Sequence, residues 1–460
     1  MKFGGTSVED ARAMENVIEI VAKEQRRKPI VVLSAIAGAT NSLLNSAHIA
    51  LDGDLERAHA ELNRLLERHV TLLENLISNR SEIQHLILTI KKRFDELRTL
   101  CQGIAILGEL TNRSLDAIAS VGEQLSTVIL TCALTERGFA AEMVDARTFM
   151  ITNDQFAAAT PDFVLISQEA RARILPPLQA GKIVVTQGYI GSTRKGITTT
   201  LGRGGSDYSA AIIGAALDAE EIQIWTDVDG VLTADPRIAP AAMKLKVISF
   251  REASELAYFG AKVLHPSTIL PAVEKNIPVI VLNSKRPQST GTRIVDRPPK
   301  SSAAVKSIAS KKGITVINIQ SSRMLMAYGF LSAIFSVFQK HKTAVDLVST
   351  SEVAVSLTID NTSNLEQIVS ELQEFAEVSV FDQKAIVCVV GEQMRSTVGI
   401  VNRVFGALHD INVIMISQGA SEINMSLVID EDVVTQAVQQ LHREFFEPIP
   451  ELDLFEQVDA

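Results

Sequence analysis

Four short, mostly β-branched runs constrain the architecture more than any other feature: Ile30-Val31-Val32-Leu33, Ile183-Val184-Val185-Thr186, Ile222-Gln223-Ile224-Trp225-Thr226 and Val279-Ile280-Val281-Leu282. Each is too short for a helix and too apolar for a strand with one wet face, so each reads as a strand covered on both sides. Helical segments at 10–23, 122–137 and 206–217 lie among them. Alternating strands and helices imply an α/β fold with a mostly parallel central sheet sandwiched by helices. Ligands of such sheets bind at the carboxyl ends of strands, and the glycine-rich segments fall there.

Two parts break the alternation. Between 54 and 77 the positions Leu55, Ala58, Leu62, Leu65, Leu72 and Leu76 keep a three-four spacing, and a second series runs Ile83, Leu86, Ile90, Phe94, Leu97, Cys101, Ile104. These predict a helical hairpin inserted at 54–106. His69 stands in the first series with no ligand partner one turn away, so it reads as a packed seam residue. After a Pro-, Ser- and Thr-rich connector at 286–302, two rounds of strand, helix, strand, strand, helix follow from about Val305. A repeat of roughly 60 to 70 residues of this kind predicts two tandem ferredoxin-like βαββαβ domains. The division expected is 1–290, a linker at 291–304, and repeats at 305–380 and 381–460, with 305–310 a candidate strand of the second repeat.

The chain has 460 residues, a formal charge of −10 and 46% hydrophobic residues. That acidity disfavours nucleic-acid and anionic-membrane partners, which need clustered cations. Cys101, Cys132 and Cys388 form no metal or redox spacing. No uninterrupted apolar run approaches the length of a membrane span, and Lys2 followed by two glycines does not begin a signal peptide. A cytoplasmic protein without a membrane partner is expected.

The segments Lys2-Phe3-Gly4-Gly5-Thr6-Ser7 and Gly202-Arg203-Gly204-Gly205-Ser206-Asp207 each set bare backbone amides beside a cation and a hydroxyl, which is what polyphosphate requires. Ser34 to Asn41 follows a buried strand and suits either close approach to a ligand or a helix cap at Thr40 or Asn41. Glu123 could hold an ammonium group or only complement a helix dipole. Arg203, flanked by glycines, could clamp a carboxylate, whereas Ser206 and Asp207 could equally be caps. The acidic loop after Thr226-Asp227 does not fit a calcium loop. Lys262 could contact phosphate or simply be solvated. With no P-loop or protein-kinase motif, phosphoryl transfer from a different cradle accounts for these glycines and lysines together.

Taken together, Lys2-Phe3-Gly4-Gly5-Thr6-Ser7-Val8, Val32-Leu33-Ser34-Ala35, Gly122-Glu123, Gly202 to Asp207, Trp225-Thr226-Asp227-Val228 and Phe259-Gly260-Ala261-Lys262-Val263-Leu264-His265-Pro266 resemble the aspartate kinases of the amino-acid kinase superfamily. The repeats resemble paired ACT domains. The resemblance implies ATP- and Mg2+-dependent phosphorylation of the L-aspartate side chain, with the metal held mainly through the phosphates. It implies catalytic roles for Lys2, Ser34 and Asp207. Aspartate would be bound by Thr40, Glu123, Arg203, Gly204, Gly205 and Ser206. The nucleotide would meet Lys2, Phe3, Gly4, Gly5, Thr226, Asp227, Leu232, Arg237, Lys262 and Val263.

An amino-acid effector, lysine ahead of threonine, is implied at Met324, Ala327, Leu331, Ala344, Val345, Asp346, Thr350, Ser351 and Glu352. Homodimerisation through the ACT domains, with higher assembly open, is implied as well. Aspartate kinases carry several apolar residues before Lys-Phe-Gly-Gly; here only Met1 precedes it, so a short first strand or an upstream start is expected. With nothing after the second repeat, no fused homoserine dehydrogenase is expected. The rival readings are another amino-acid kinase of the glutamate type and a non-catalytic ACT sensor.

Overall fold

A computed structural model of the chain describes residues 1–260, 266–299, 303–321, 328–447 and 454–457. Two compact units form, one from residues 1–230 with 263–298 and the other from 231–262 with 299–460.

In the first unit the sheet runs in the order Thr292–Val295, Val279–Asn283, Ile222–Thr226, Lys2–Phe3, Ile30–Leu33, Ile183–Gln187, Ala141–Met143. All these neighbours are parallel except the pair formed by Thr292–Val295 and Val279–Asn283. The first strand has only two residues yet is paired on both sides, Lys2 opposite Val32 and Ile224. Phe3 is fully buried and stacks on Trp225 with ring centroids 5.8 Å apart. A short strand at the sheet centre is thus fixed by its neighbours rather than by its length.

Helices Ala11–Lys23, Val121–Glu136, Phe163–Gln179 and Gly205–Ala216 belong to this unit. A smaller sheet joins Ile151–Thr152, Ile190–Thr193 and Thr198–Thr200. The stretch Asn112–Glu136 is apolar and long enough to cross a membrane by length and composition, but 78% of its apolar 18-residue window is buried within the fold, as for a core helix.

The hairpin forms as Leu55–Leu76 and Arg80–Leu107, begun by Asp54 and Asn79 side chains that accept backbone N–H groups. Leu62, Leu65, Ile90 and Phe94 merge with the core around Phe3, Leu33 and Leu125. His69 is fully buried against the edge of Phe94, its Nδ1 2.8 Å from the Leu65 carbonyl, and burial lowers its pKa to about 4. It is a neutral packing residue.

In the second unit one antiparallel sheet has the order Val348–Thr350, Ala354–Ile359, Ser307–Gln320, Glu377–Val390, Asn424–Asp430, Met415–Gln418. Its central strands are long, fourteen residues each, and serve both repeats. Thr315–Gln320 pairs with Ala354–Ile359, while Ser307–Lys311 pairs with Ile386–Val390, with irregularities near Ile314. Helices Phe330–Lys340, Leu365–Leu372, Ile400–Ala407 and Val434–Phe446 complete the two rounds. The stretch 231–262 is anchored here too: Ser307 Oγ donates to the Leu232 carbonyl at 2.7 Å and the Ile308 N–H to the Thr233 carbonyl at 2.8 Å.

Candidate active site

A cleft of about 540 Å3 in the first unit is lined by both glycine segments, by Ser34 and Thr40, and by Glu123. Three helices begin there. Thr40 lies in the first turn of Ala39–Leu51, Glu123 in that of Val121–Glu136, and Ser206 and Asp207 in that of Gly205–Ala216. Their free N–H groups and dipoles favour anions.

The capping alternatives for these residues fail. Gly38 (φ 77°) and Gly204 (φ 72°) hold the N-cap positions of two of these helices in left-handed conformations, and neither helix has a side-chain cap. Thr40, Asn41, Ser206 and Asp207 are therefore left to face the cleft. Asp207 Oδ1 instead meets Lys2 Nζ at 2.7 Å. Gly4, expected at the nucleotide, instead donates its N–H to the Trp225 carbonyl at 3.1 Å and does not line the cleft.

Glu123 is 3% exposed, and its Oε2 has no hydrogen-bond partner. Desolvation pushes its pKa up to about 8, against a smaller opposing effect of the Ala35 backbone. A buried carboxyl group missing a donor in a polar cleft is a site for a cation. Arg203, between Gly202 (φ 76°) and Gly204, lines the same cleft and has no hydrogen-bond or ion-pair partner among the described residues. The cleft thus offers a buried carboxyl group and an uncommitted guanidinium together.

The other expected positions divide. Ser34 donates its N–H to the Phe3 carbonyl at 3.1 Å. Phe3 itself is packed into the core, so its side chain serves the sheet and not a ligand. Gly5 lines the cleft, and a Cβ there would lie 3.1 Å from the Ala35 carbonyl. Thr226 ends its strand, with its hydroxyl 3.2 Å from Asp227 Oδ1 and its carbonyl accepting from the Ser284 N–H at 2.9 Å. Leu232 and Arg237 belong to the second unit, where Arg237 is exposed and pairs with Asp235 at 2.6 Å. Lys262 and Val263 lie outside the described residues.

The expected effector positions all lie in the second unit. Met324 and Ala327 lie outside the described residues. Leu331 is in the first turn of Phe330–Lys340, which starts at Gly329 (φ 85°). Val345 packs on the apolar cluster of Ile334 and Phe338, next to Ala344, while Thr350, Ser351 and Glu352 are exposed. Asp346 has a side chain only 3% exposed. Its Oδ1 takes the Tyr258 hydroxyl at 2.7 Å and Lys311 Nζ at 3.3 Å, and its Oδ2 is buried without a hydrogen-bond partner. The interaction with Asp346 adds to burial in raising the Tyr258 pKa.

Sequence reasoning passed over Asp116, Ala157 and Tyr189. The last two line the cleft in left-handed conformations, φ 72° and 67°. Tyr189 had a signal, since it follows Gly188 just past the buried strand Ile183–Gln187. Asp116 had none: an aspartate in a short polar helix reads as solvated.

Comparison with known proteins agrees with this geometry. The amino acid kinase family profile matches residues 1–283, and an ACT domain profile matches 387–445. Lysine-sensitive aspartokinase 3 of Escherichia coli is 39% identical over 459 residues, covering 97% of this chain and 98% of its own. Aspartokinase 2, chloroplastic, of Arabidopsis thaliana is 38% identical, with 98% and 84% covered. The crystal structure of E. coli aspartokinase III in complex with aspartate and ADP (R-state) matches with a TM-score of 0.84 at 37% identity, covering 97% of this chain and 99% of that one. Its complex with lysine and aspartate (T-state) matches at 0.82, covering 97% and 98%. The chain belongs to the amino acid kinase family and, within it, is an aspartate kinase that carries an ACT domain.

Proposed function

We propose that the cleft binds L-aspartate and that ATP supplies the phosphoryl group. An oxygen of the aspartate side-chain carboxylate attacks the γ-phosphorus, the bond to the bridging β–γ oxygen breaks, and 4-phospho-L-aspartate and ADP leave. No general base is required, because a carboxylate with a pKa near ~4 is already ionised at neutral pH. The observation that carries this reading is Glu123, a buried carboxyl group lacking a partner in the same cleft as the unpaired Arg203. Glu123 takes the α-ammonium and Arg203 the α-carboxylate, with Thr40, Gly204, Gly205 and Ser206 around the substrate.

Lys2 and the amide of Gly5 meet the phosphates, Lys2 exchanging Asp207 for a phosphate oxygen, and Ser34 lines the reacting end. Thr226 and Asp227 extend the nucleotide site. Among the described residues no three His, Cys, Asp or Glu side chains converge. Mg2+ would be held through phosphate oxygens and water, and would neutralise charge on the transferred group.

Lysine is the proposed effector, with Asp346 as its ammonium partner. The unpartnered Oδ2 of Asp346 and the lysine-sensitive name of the E. coli relative support this. Exposed Val348, Phe381 and Ile416 on strands of the second unit support a homodimer joined there. Incubation with MgATP, aspartate and hydroxylamine is the test: aspartyl hydroxamate should accumulate, and its absence above background overturns the reading.

A further inference from the structure

Asp116, in the helix Asn112–Ala119, is 2% exposed and does not line the cleft. Its two carboxylate oxygens accept the Ala157 N–H at 3.0 and 3.1 Å, the Thr200 N–H at 3.0 Å and the Thr200 hydroxyl at 2.7 Å. Among the described residues no cation pairs with it. A carboxylate buried among neutral donors is costly to desolvate, and here one donor is on the cleft-lining Ala157 and two are on Thr200, two residues before the lining Gly202.

Two residues of the cleft lining are strained. Ala157 and Tyr189 adopt left-handed conformations that side-chain-bearing residues occupy only when their surroundings compel it. Asp116 grips Ala157 directly. It reaches Tyr189 through the residue after Thr200, since the Leu201 N–H donates to the Tyr189 carbonyl at 2.9 Å. Gly202 then closes against the gripped loop: a Cβ added there would lie 3.2 Å from the Ala157 carbonyl. Arg203 is the next residue.

We propose that Asp116 is the positioning residue of the acceptor pocket, holding Ala157, Tyr189 and the Gly202-Arg203 turn in the arrangement that receives the amino-acid substrate without touching it. This rests on reading the cleft as the aspartate site. Asp116→Asn replaces charged acceptors by a neutral amide and sets its NH2 against the Thr200 hydroxyl, which must then reverse to accept, so the aspartate KM rises roughly ten-fold, while the ATP KM and kcat stay within about two-fold. Thr200→Val, which deletes only the hydroxyl link, raises the aspartate KM in the same way, and Thr200→Ser restores it.

Steady-state kinetics with each substrate varied, alongside thermal melts, decide the matter. If the wild-type enzyme makes no aspartyl hydroxamate, the functional reading falls. If it does, and both Asp116→Asn and Thr200→Val keep the wild-type aspartate KM, the positioning role is overturned. Lower melting temperature and kcat with both KM values unchanged also overturn it, since that is the outcome of a purely structural carboxylate.

Discussion

Lys2 Nζ and Asp207 Oδ1 lie 2.7 Å apart, with side chains 11% and 16% exposed. The pair joins the central strand to the first turn of helix Gly205–Ala216, so the cation is aimed before any phosphate arrives. Preorganised charge of this kind acts mainly on the transition state. Lys2→Met should lower kcat by roughly 100-fold and leave the aspartate KM nearly unchanged. A Lys2→Met enzyme with wild-type kcat would remove Lys2 from the phosphate site.

Arg203 should show the opposite kinetic pattern. Losing a charge-assisted clamp on the substrate carboxylate costs roughly 10- to 100-fold in affinity, so Arg203→Ala should raise the aspartate KM by that factor and spare the ATP KM. Initial rates against aspartate at saturating MgATP measure it, and an unchanged aspartate KM contradicts the clamp.

Glu123 makes both binding and stability depend on pH. Its folded-state pKa is raised from 4.5 to about 8, so the protonated form stabilises the fold fully below 4.5, and that contribution is lost as pH rises toward 8. Each pH unit in the window costs up to about 1.4 kcal/mol. Glu123→Gln has no such slope, so its melting temperature should gain on the wild type from pH 5 to pH 8 and run parallel above. At pH 7 an incoming ammonium favours the ionised carboxylate, and aspartate binding should release a proton, visible by calorimetry in buffers of different ionisation enthalpy. A constant melting gap together with no proton release would refute the assignment.

Tyr258 competes for the carboxylate expected to receive the effector. Its hydroxyl donates to Asp346 at 2.7 Å, and a hydrogen bond to a charged group is worth about 1.5 to 3 kcal/mol. Tyr258→Phe should therefore lower the lysine concentration for half-inhibition by roughly ten-fold, and Asp346→Asn should abolish inhibition. Dose–response curves for the two variants check both, and an unshifted Tyr258→Phe curve denies the competition.

The hairpin should behave as part of the catalytic core. Phe94 is fully buried within the cluster that contains Phe3 and Leu33, so Phe94→Ala should cost about 3 to 5 kcal/mol. Denaturant unfolding followed by circular dichroism would register the loss; a shift under ~1 kcal/mol would mean the hairpin is dispensable to the core.

Much of this molecule is legible in its sequence where the signal is local. The β-branched runs at Ile30, Ile183, Ile222 and Val279 became strands because continuous apolar residues have few other stable options. The three-four series became the hairpin, and the glycine segments became one cleft. Edges were less clear: the short strands Val348–Thr350 and Met415–Gln418 are largely exposed, and such pairing leaves little hydrophobic pattern. Thr40 looked like a cap because caps are recognised by residue type, whereas Gly38 had taken the position by conformation. Asp116 was invisible because its meaning lies in Ala157 and Thr200, which only the folded chain brings to it.

The strands Ser307–Gln320 and Glu377–Val390 each run through both repeats. The repeats are consequently not interchangeable cassettes. A chimera cut near residue 380 would sever a continuous strand and leave unpaired backbone on each fragment, so exchanging effector specificity with a relative requires transplanting the whole six-stranded sheet as one piece.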